Sequence, residues 1–518
     1  MKKLPIGIQT FSELIRENYV YVDKTAYIHD LITTGKYYFL ARPRRFGKSL
    51  LVSTLAEIFA GNKELFAGLT IDSLPYDWKK YPVISLSFSD FDCTTSENLN
   101  ESIKYCLRDI ASEYHIVLNE QFSPGQILQV LTKELAKQNS VVLLIDEYDY
   151  AILKHIHNPD MASEIRETVK NFYAVIKGLD QYFKFVFLTG VSKFSKTSIF
   201  SGLNNLQDIS LSSGCNGLLG YTYNELGIYF EQHLTAYARS VDCRVEELLE
   251  KITLWYDGYR FTKENSALKI YNPFSVLLCL KNNDFSNYWF ETGTPTFLIN
   301  LLKLKNYPLS NFEMIKATGE ELSQFEVDDI DLKTLMFQTG YITIKDYNYN
   351  SGNYILGYPN KEIMNSLGGF VVKSMSGLSR SDLNDSVTIL LDVFERCDIN
   401  QLFSVLTRLF SEVPYTIHIG EEKYFQTIFY IVLKMIGADI IVEKPTNIGR
   451  IDAVIQTKST CFIVEFKINS TAVKAIAQIE DKKYYQPYLS LGKKIVLVGI
   501  VFDTTIKNVS EVDYKELE

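Results

Sequence analysis

Gly47, Lys48 and Ser49 close the run Phe39-Leu40-Ala41-Arg42-Pro43-Arg44-Arg45-Phe46-Gly47-Lys48-Ser49, an order that suits phosphate binding. A glycine there lets backbone N–H groups converge on phosphate at the start of a helix. Lys48 would reach the outer phosphates, and the Ser49 hydroxyl can ligate magnesium. The loop departs from the usual pattern five residues before Gly47, where Arg42 replaces the first glycine and Pro43 follows with its fixed φ. Arg44 and Arg45 add positive charge. A second group of chemically competent residues is Asp146 and Glu147, at the end of the apolar run Val141-Val142-Leu143-Leu144-Ile145. Asp146 would hold magnesium through water and Glu147 would polarise the attacking water, as catalytic residue. A third polar strand end, Thr189-Gly190-Val191-Ser192, offers Thr189 and Ser192 as sensors of a terminal phosphate, or forms an ordinary strand-to-loop turn. The nucleotide-binding set is thus Arg44, Arg45, Phe46, Gly47, Lys48, Ser49 and Leu50 from the loop, with Asp146, Thr189 and Ser192 behind it.

The C-terminal region carries a different chemistry. Asp452 is followed thirteen residues later by Glu465-x-Lys467. Strand side chains alternate faces, so Glu465 and Lys467 project together while Phe462, Val464 and Phe466 point the other way. Asp452 on a paired strand can join them. Asp452 and Glu465 would bind a divalent metal, magnesium or manganese, and Lys467 would orient water for attack on a phosphodiester. Gln478 on the following helix and Glu422 on the preceding one are further members. His155 and His157 lack nearby cysteines and read as surface or core residues, and no Gly-x-Ser-x-Gly elbow occurs.

The elements that must position these groups follow from periodicity. Strands are expected at Lys36–Ala41, Tyr81–Ser87, Val141–Ile145 and Phe183–Leu188, with a helix from Ser49 to Phe59; this alternation implies a parallel sheet with crossover helices. Thr222 with Glu225 three residues on is a capping box that opens a helical region. Two strands, Tyr341–Lys345 and Tyr354–Leu356, flank the turn-rich Asn348–Asn353 and follow a helix, which is compatible with a winged-helix module. Beyond residue 400 come a helix near 421–436, a hairpin over 451–467, a helix near 471–485 and a strand Lys494–Val501.

Bulk properties bound the rest. The 518 residues are 46% hydrophobic and 22% charged, with 34 Tyr and 32 Phe, which suits several globular domains and argues against disorder. The net charge of -9 excludes a broadly cationic nucleic-acid binder. Residues 401–518 hold 14 Lys+Arg and 14 Asp+Glu, so the acidity lies elsewhere. Seven scattered cysteines form no Cys-x-x-Cys pair. No apolar run is long enough to span a membrane, and the expected location is the cytoplasm.

Taken together, these stretches resemble the bacterial AAA-ATPase-like family that carries a C-terminal PD-(D/E)xK nuclease-superfamily domain. The resemblance covers nearly the whole chain. It rests on Pro5-Ile6-Gly7 with Phe11, Tyr21–Thr25, Arg42–Ser49, Leu144–Tyr148 and Leu188–Phe194. It continues in Trp255-Tyr256-Asp257-Gly258-Tyr259-Arg260-Phe261, Tyr271–Ser275 and Gly449–Lys467. It implies a P-loop ATPase core (1–215), a helical lid (216–305), a winged-helix-like and linker region (306–400) and a restriction-endonuclease-like α/β domain (401–518). It also implies that Arg42 is normal for the family, and that Arg260 is either a lid arginine touching nucleotide or a packed arginine. The expected function is an ATPase that regulates a metal-dependent nuclease, with ATP, magnesium and nucleic acid, DNA favoured, as partners; homo-oligomerisation is compatible with it. The alternative is a nucleotide-switched signalling or scaffold ATPase whose C-terminal domain binds without cutting.

Overall fold

A computed structural model describes residues 1–194, 205–291, 314–323, 331–376, 380–411, 439–446 and 449–517, together with 429 and 432. Glu422, and all but two residues of the helix expected near 421–436, lie outside the described residues. The chain forms two compact units, one of residues 1–292 and 314–360, the other of 293–313 and 361–518.

The first unit is organised by a five-stranded sheet of β1 (Tyr37–Ala41), β2 (Val83–Ser87), β3 (Val141–Asp146), β4 (Phe183–Gly190) and β5 (Gln207–Asp208). All neighbours are parallel and the order is β2-β3-β4-β1-β5. Every residue of β3 is buried, the pattern of a strand covered on both faces. β4 lies between β1 and β3, so the two strands that end in the phosphate loop and the acid pair both emerge at the carboxyl edge, where open α/β sheets bind ligands. The helix Lys48–Phe59 follows β1 directly, burying Leu51, Leu55, Ile58 and Phe59. Its N-cap, Gly47, has φ +95°, a left-handed conformation that costs glycine least.

Four helices, Tyr223–Tyr229, Glu231–Ser240, Val245–Tyr256 and Pro273–Asn282, make a lid layer. The Thr222–Glu225 capping box is formed as the sequence implies. Val20 and Val22 from the amino-terminal segment join Leu226, Phe230, Ile252 and Tyr256 in the lid's own core. Lys24 completes the attachment: its ammonium contacts both Glu225 carboxylate oxygens, at 2.6 and 2.8 Å.

The helix Leu332–Thr339 is followed by the antiparallel pair β7 (Thr343–Asn348) and β8 (Asn353–Gly357). A third strand, β6 (Ile315–Ala317), pairs with β8 and was not evident from the sequence. This module is fixed to the lid: the Arg260 N–H donates to the Thr343 hydroxyl at 2.9 Å, and the Tyr347 N–H to Asn265 Oδ1 at 2.9 Å. Gly258 sits at the joint with φ +107°, and a Cβ there would collide with the Pro359 carbonyl. Gly258→Ala combines a left-handed strain with that clash against backbone, so a loss of about 2–4 kcal/mol is expected. A clear fall in melting temperature checks it, and an unchanged melt would show that the joint yields freely.

The second unit holds a mixed sheet of β9 (Asp439–Thr446), β10 (Gly449–Gln456), β11 (Thr460–Ile468), β12 (Lys494–Asp503) and β13 (Asn508–Leu517), in the order β13-β12-β11-β10-β9. Only β11 and β12 run parallel, joined through the helix Ala472–Asp481. That helix packs Ile476 and Ile479 against Ile463 and Leu497 on one face. On the other face Phe394 meets Phe462 at 5.2 Å and Phe410 meets Phe502 at 5.1 Å, edge to face.

Candidate functional site

In the phosphate loop, Lys48 is buried and its ammonium donates to the Arg42 and Pro43 carbonyls, both at 3.0 Å. Burial pushes this ammonium below its ordinary range, and the charges of Asp146, Glu147 and Asp149 oppose the shift. The Ser49 hydroxyl lies near enough to the Asp146 carboxylate to lower it, although the β1 loop and β3 are separated by β4. Burial raises the Asp146 carboxyl, and the Ser49 hydroxyl and Lys48 charge work against it. One hydroxyl and one carboxylate, completed by water and phosphate oxygens, is a protein complement that suits magnesium. Glu147 follows with φ +50°, its N–H donating to Asp146 Oδ1 at 2.9 Å.

The loop's arginines separate into two roles. Arg42 is almost wholly buried. Its guanidinium donates to the carbonyls of Ala41 at 3.0 Å, Ser210 at 2.5 Å and Cys215 at 3.3 Å, and lies 4.1 Å from the centre of the Phe261 ring. Burial lowers it to about 10, so it stays charged at neutral pH. Arg44 and Arg45 are exposed. Arg45 has φ +67° and its guanidinium sits 4.8 Å from the Phe274 ring, while the Arg44 carbonyl accepts from the Trp289 indole at 3.0 Å. Phe46 is buried, edge-on to Tyr259 at 4.9 Å and Phe261 at 5.6 Å. Gly340, at the end of the helix Leu332–Thr339, comes so close to Pro43 that a Cβ would lie 2.7 Å from its side chain. The loop is therefore gripped by the lid and by the helix–hairpin module. Leu50 and Gly47 line a largely apolar pocket whose other walls include Tyr21, Lys24, Leu219 and Tyr221.

Thr189 and Ser192 have internal partners. The Thr189 hydroxyl donates to the Leu40 carbonyl at 2.8 Å, tying β4 to β1. Ser192 donates both its N–H and its hydroxyl to Asp149 Oδ2, each at 2.6 Å. Asp149, which sequence reasoning did not single out, had one signal: it closes the acidic run Asp146-Glu147-Tyr148-Asp149. Arg260 is packed rather than turned to the loop, donating to the Asn265 carbonyl at 3.1 Å and to its Oδ1 at 3.3 Å. His155 contacts the Cys93 carbonyl at 2.5 Å, and all seven cysteines are free.

The C-terminal acids come together as their spacing implies. Ala453 pairs with Val464, so Asp452 and Glu465 stand at the next step of the β10–β11 ladder. Glu465 is buried; its Oε1 accepts from the Lys467 ammonium at 2.9 Å and from the Gln478 amide. Asp452 Oδ2 accepts from the Phe466 N–H at 2.9 Å. Glu465, Lys467 and Gln478 are thus joined on the central strand β11 and its helix, with Asp452 on the neighbouring strand β10. That donor set suits a divalent cation beside a phosphodiester. Among the described residues no cluster of three or more His, Cys, Asp or Glu side chains stands assembled as a metal cage, and no helix is long and apolar enough to cross a membrane.

Comparison with known proteins matches both regions of the chain to families. The family described as "Predicted AAA-ATPase" matches residues 5–200, and the "PD-(D/E)XK nuclease superfamily" matches residues 420–512. The "Uncharacterized protein in vnfD 5'region" of Azotobacter chroococcum mcd 1 is 37% identical over 521 residues, covering 98% of each chain. With a parallel P-loop-like sheet in one unit and a mixed sheet in the other, the chain belongs to the AAA-ATPase-like family that carries a C-terminal PD-(D/E)XK nuclease-superfamily domain.

Proposed function

We propose that this protein binds and hydrolyses ATP with magnesium and thereby regulates a metal-dependent nuclease acting on DNA. What supports this reading is the placement of two residue sets: Ser49 and Asp146 near buried Lys48, and Glu465 bonded to Lys467 with Asp452 on the paired strand. In this reading residues 1–215, 216–305, 306–400 and 401–518 serve as ATPase core, lid, winged-helix-like and linker region, and nuclease domain of a cytoplasmic protein. Terminal phosphate oxygens take the place of the Arg42 and Pro43 carbonyls as acceptors for the Lys48 ammonium. The base occupies the apolar pocket beside Gly47 and Leu50. Glu147 takes the proton of the attacking water; Ser49 and Asp146 would hold magnesium, which would supply positive charge beside the phosphoryl group. At the second site Lys467 orients the water, Asp452 and Glu465 would hold a divalent cation that supplies Lewis acidity, and Gln478 steadies Glu465.

The two halves of the ATP site are separable. Lys48→Ala is expected to weaken ATP binding by about tenfold or more, whereas Glu147→Gln keeps binding and loses about a hundredfold or more in kcat. Titration with a fluorescent ATP analogue, beside a phosphate-release assay, checks both. Equal binding in wild type and Lys48→Ala would sink the nucleotide site. A second reading, a nucleotide-switched scaffold that binds without cutting, draws on the equal numbers of acidic and basic residues in 401–518. It predicts no cleavage of plasmid or single-stranded DNA even with manganese present.

A further inference from the structure

We infer that Asp149 and Ser192 act as a pair of positioning residues for the hydrolytic step, holding Glu147 in place rather than touching nucleotide. This rests on the ATPase reading above. Asp149 is fully buried, and its carboxylate is met from the chain that follows β4: by the Val191 N–H at 3.1 Å, and by the Ser192 N–H and hydroxyl at 2.6 Å. Tyr148 adds two links to the same chain. Its phenol donates to the Ser192 carbonyl at 3.0 Å and accepts from the Phe194 N–H at 3.3 Å. Its own N–H donates to the Thr189 carbonyl at 3.1 Å. Gly190 is part of the fit, because a Cβ there would strike the Asp149 carboxylate and the Tyr148 ring.

What these bonds enclose is Glu147, a non-glycine residue in the left-handed region. Such a conformation is strained for a residue with a Cβ and persists only where the surroundings over-determine it. Here Asp146 Oδ1 holds the Glu147 N–H on one side, and the Tyr148–Asp149 bonds fix the chain on the other. The loop that receives those bonds is anchored in turn. Lys193 pairs with Asp208, and its N–H donates to Gln338 Oε1 at 2.8 Å. The direction of the Glu147 side chain is thereby set by residues 190–194, and through Gln338 by the helix of the helix–hairpin module.

The test compares kcat and KM for ATP in wild type, Glu147→Gln, Asp149→Asn, Ser192→Ala, their double variant and Ser192→Thr. Asp149→Asn and Ser192→Ala are expected to lower kcat by about tenfold while KM stays within about twofold. The double variant should lose little more than the worse single one, because both changes weaken the same Asp149–Ser192 contact. Ser192→Thr, which keeps the hydroxyl, should retain most of the rate. Should Asp149→Asn fail to fold, Ser192→Ala and Tyr148→Phe carry the same comparison. A raised KM with unchanged kcat in Ser192→Ala would overturn the inference and make Ser192 a nucleotide contact. Full hydrolysis in Asp149→Asn would overturn it while leaving the ATPase reading intact. Absence of any hydrolysis in wild type would overturn both.

Discussion

Giving position 42 the glycine that ordinary phosphate loops carry is expected to destroy the site rather than normalise it. Arg42→Gly should destabilise the first unit by about 3–5 kcal/mol and weaken ATP binding by about tenfold or more. The guanidinium fills space between β1, the chain at Ser210–Cys215 and the Phe261 ring. Removing it leaves a cavity the size of a long side chain and takes the donor from the Ser210 and Cys215 carbonyls, which lie in a desolvated setting. It also frees Pro43 and Arg44, whose carbonyls meet Lys48 and Trp289. Arg42→Met separates the contributions: it restores much of the volume but none of the hydrogen bonds, so it should fall between wild type and Arg42→Gly. Thermal melts and nucleotide titration of the three proteins check the order. A glycine variant that melts with wild type and binds ATP as tightly would show that the arginine is incidental.

The second large effect belongs to the other unit. Lys467→Ala, Asp452→Asn and Glu465→Gln are each expected to cut manganese-dependent DNA cleavage by about a hundredfold or more, with ATP hydrolysis retained. Glu465 has the most at stake, since it lies buried with both Lys467 and Gln478 on one oxygen. A neutral glutamine there no longer needs charge compensation, so Glu465→Gln is expected to melt no lower than wild type while losing activity, the usual opposition at a functional site. Gln478→Ala, which removes only the support, should lose about tenfold. Calorimetric titration with manganese gives a readout apart from cutting: heat of binding should vanish in Asp452→Asn and survive in Lys467→Ala. Cleavage that persists in all three variants would place the nuclease chemistry elsewhere.

How much of this was legible in the sequence depends on how far apart the partners lie. Gly47-Lys48-Ser49, the acids after β3 and the Asp452–Glu465–Lys467 group could be read because each depends on a local pattern, a strand followed by a turn or a hairpin. The two hidden features depend on distant chain. Arg42 looks like an addition to a cationic loop until the carbonyls of residues 210 and 215 close around it. Ser192 has the spacing of a phosphate sensor, and its hydroxyl is directed instead to Asp149, 43 residues earlier. β6 escaped notice because three residues carry too little alternation to separate a strand from a loop.

The attachment of the amino-terminal segment to the lid also governs how the chain is made. Lys24 and Glu225 are 201 residues apart, and Val20 and Val22 have no complete core until the lid helices exist. At about 5–20 residues per second, a ribosome leaves that first segment waiting for about 10–40 s. During that interval Val20, Val22 and the surface they will cover are open to other chains and to chaperones. Residues 20–24 are thus completed only once the lid helices have been made, and removing them would act on the lid.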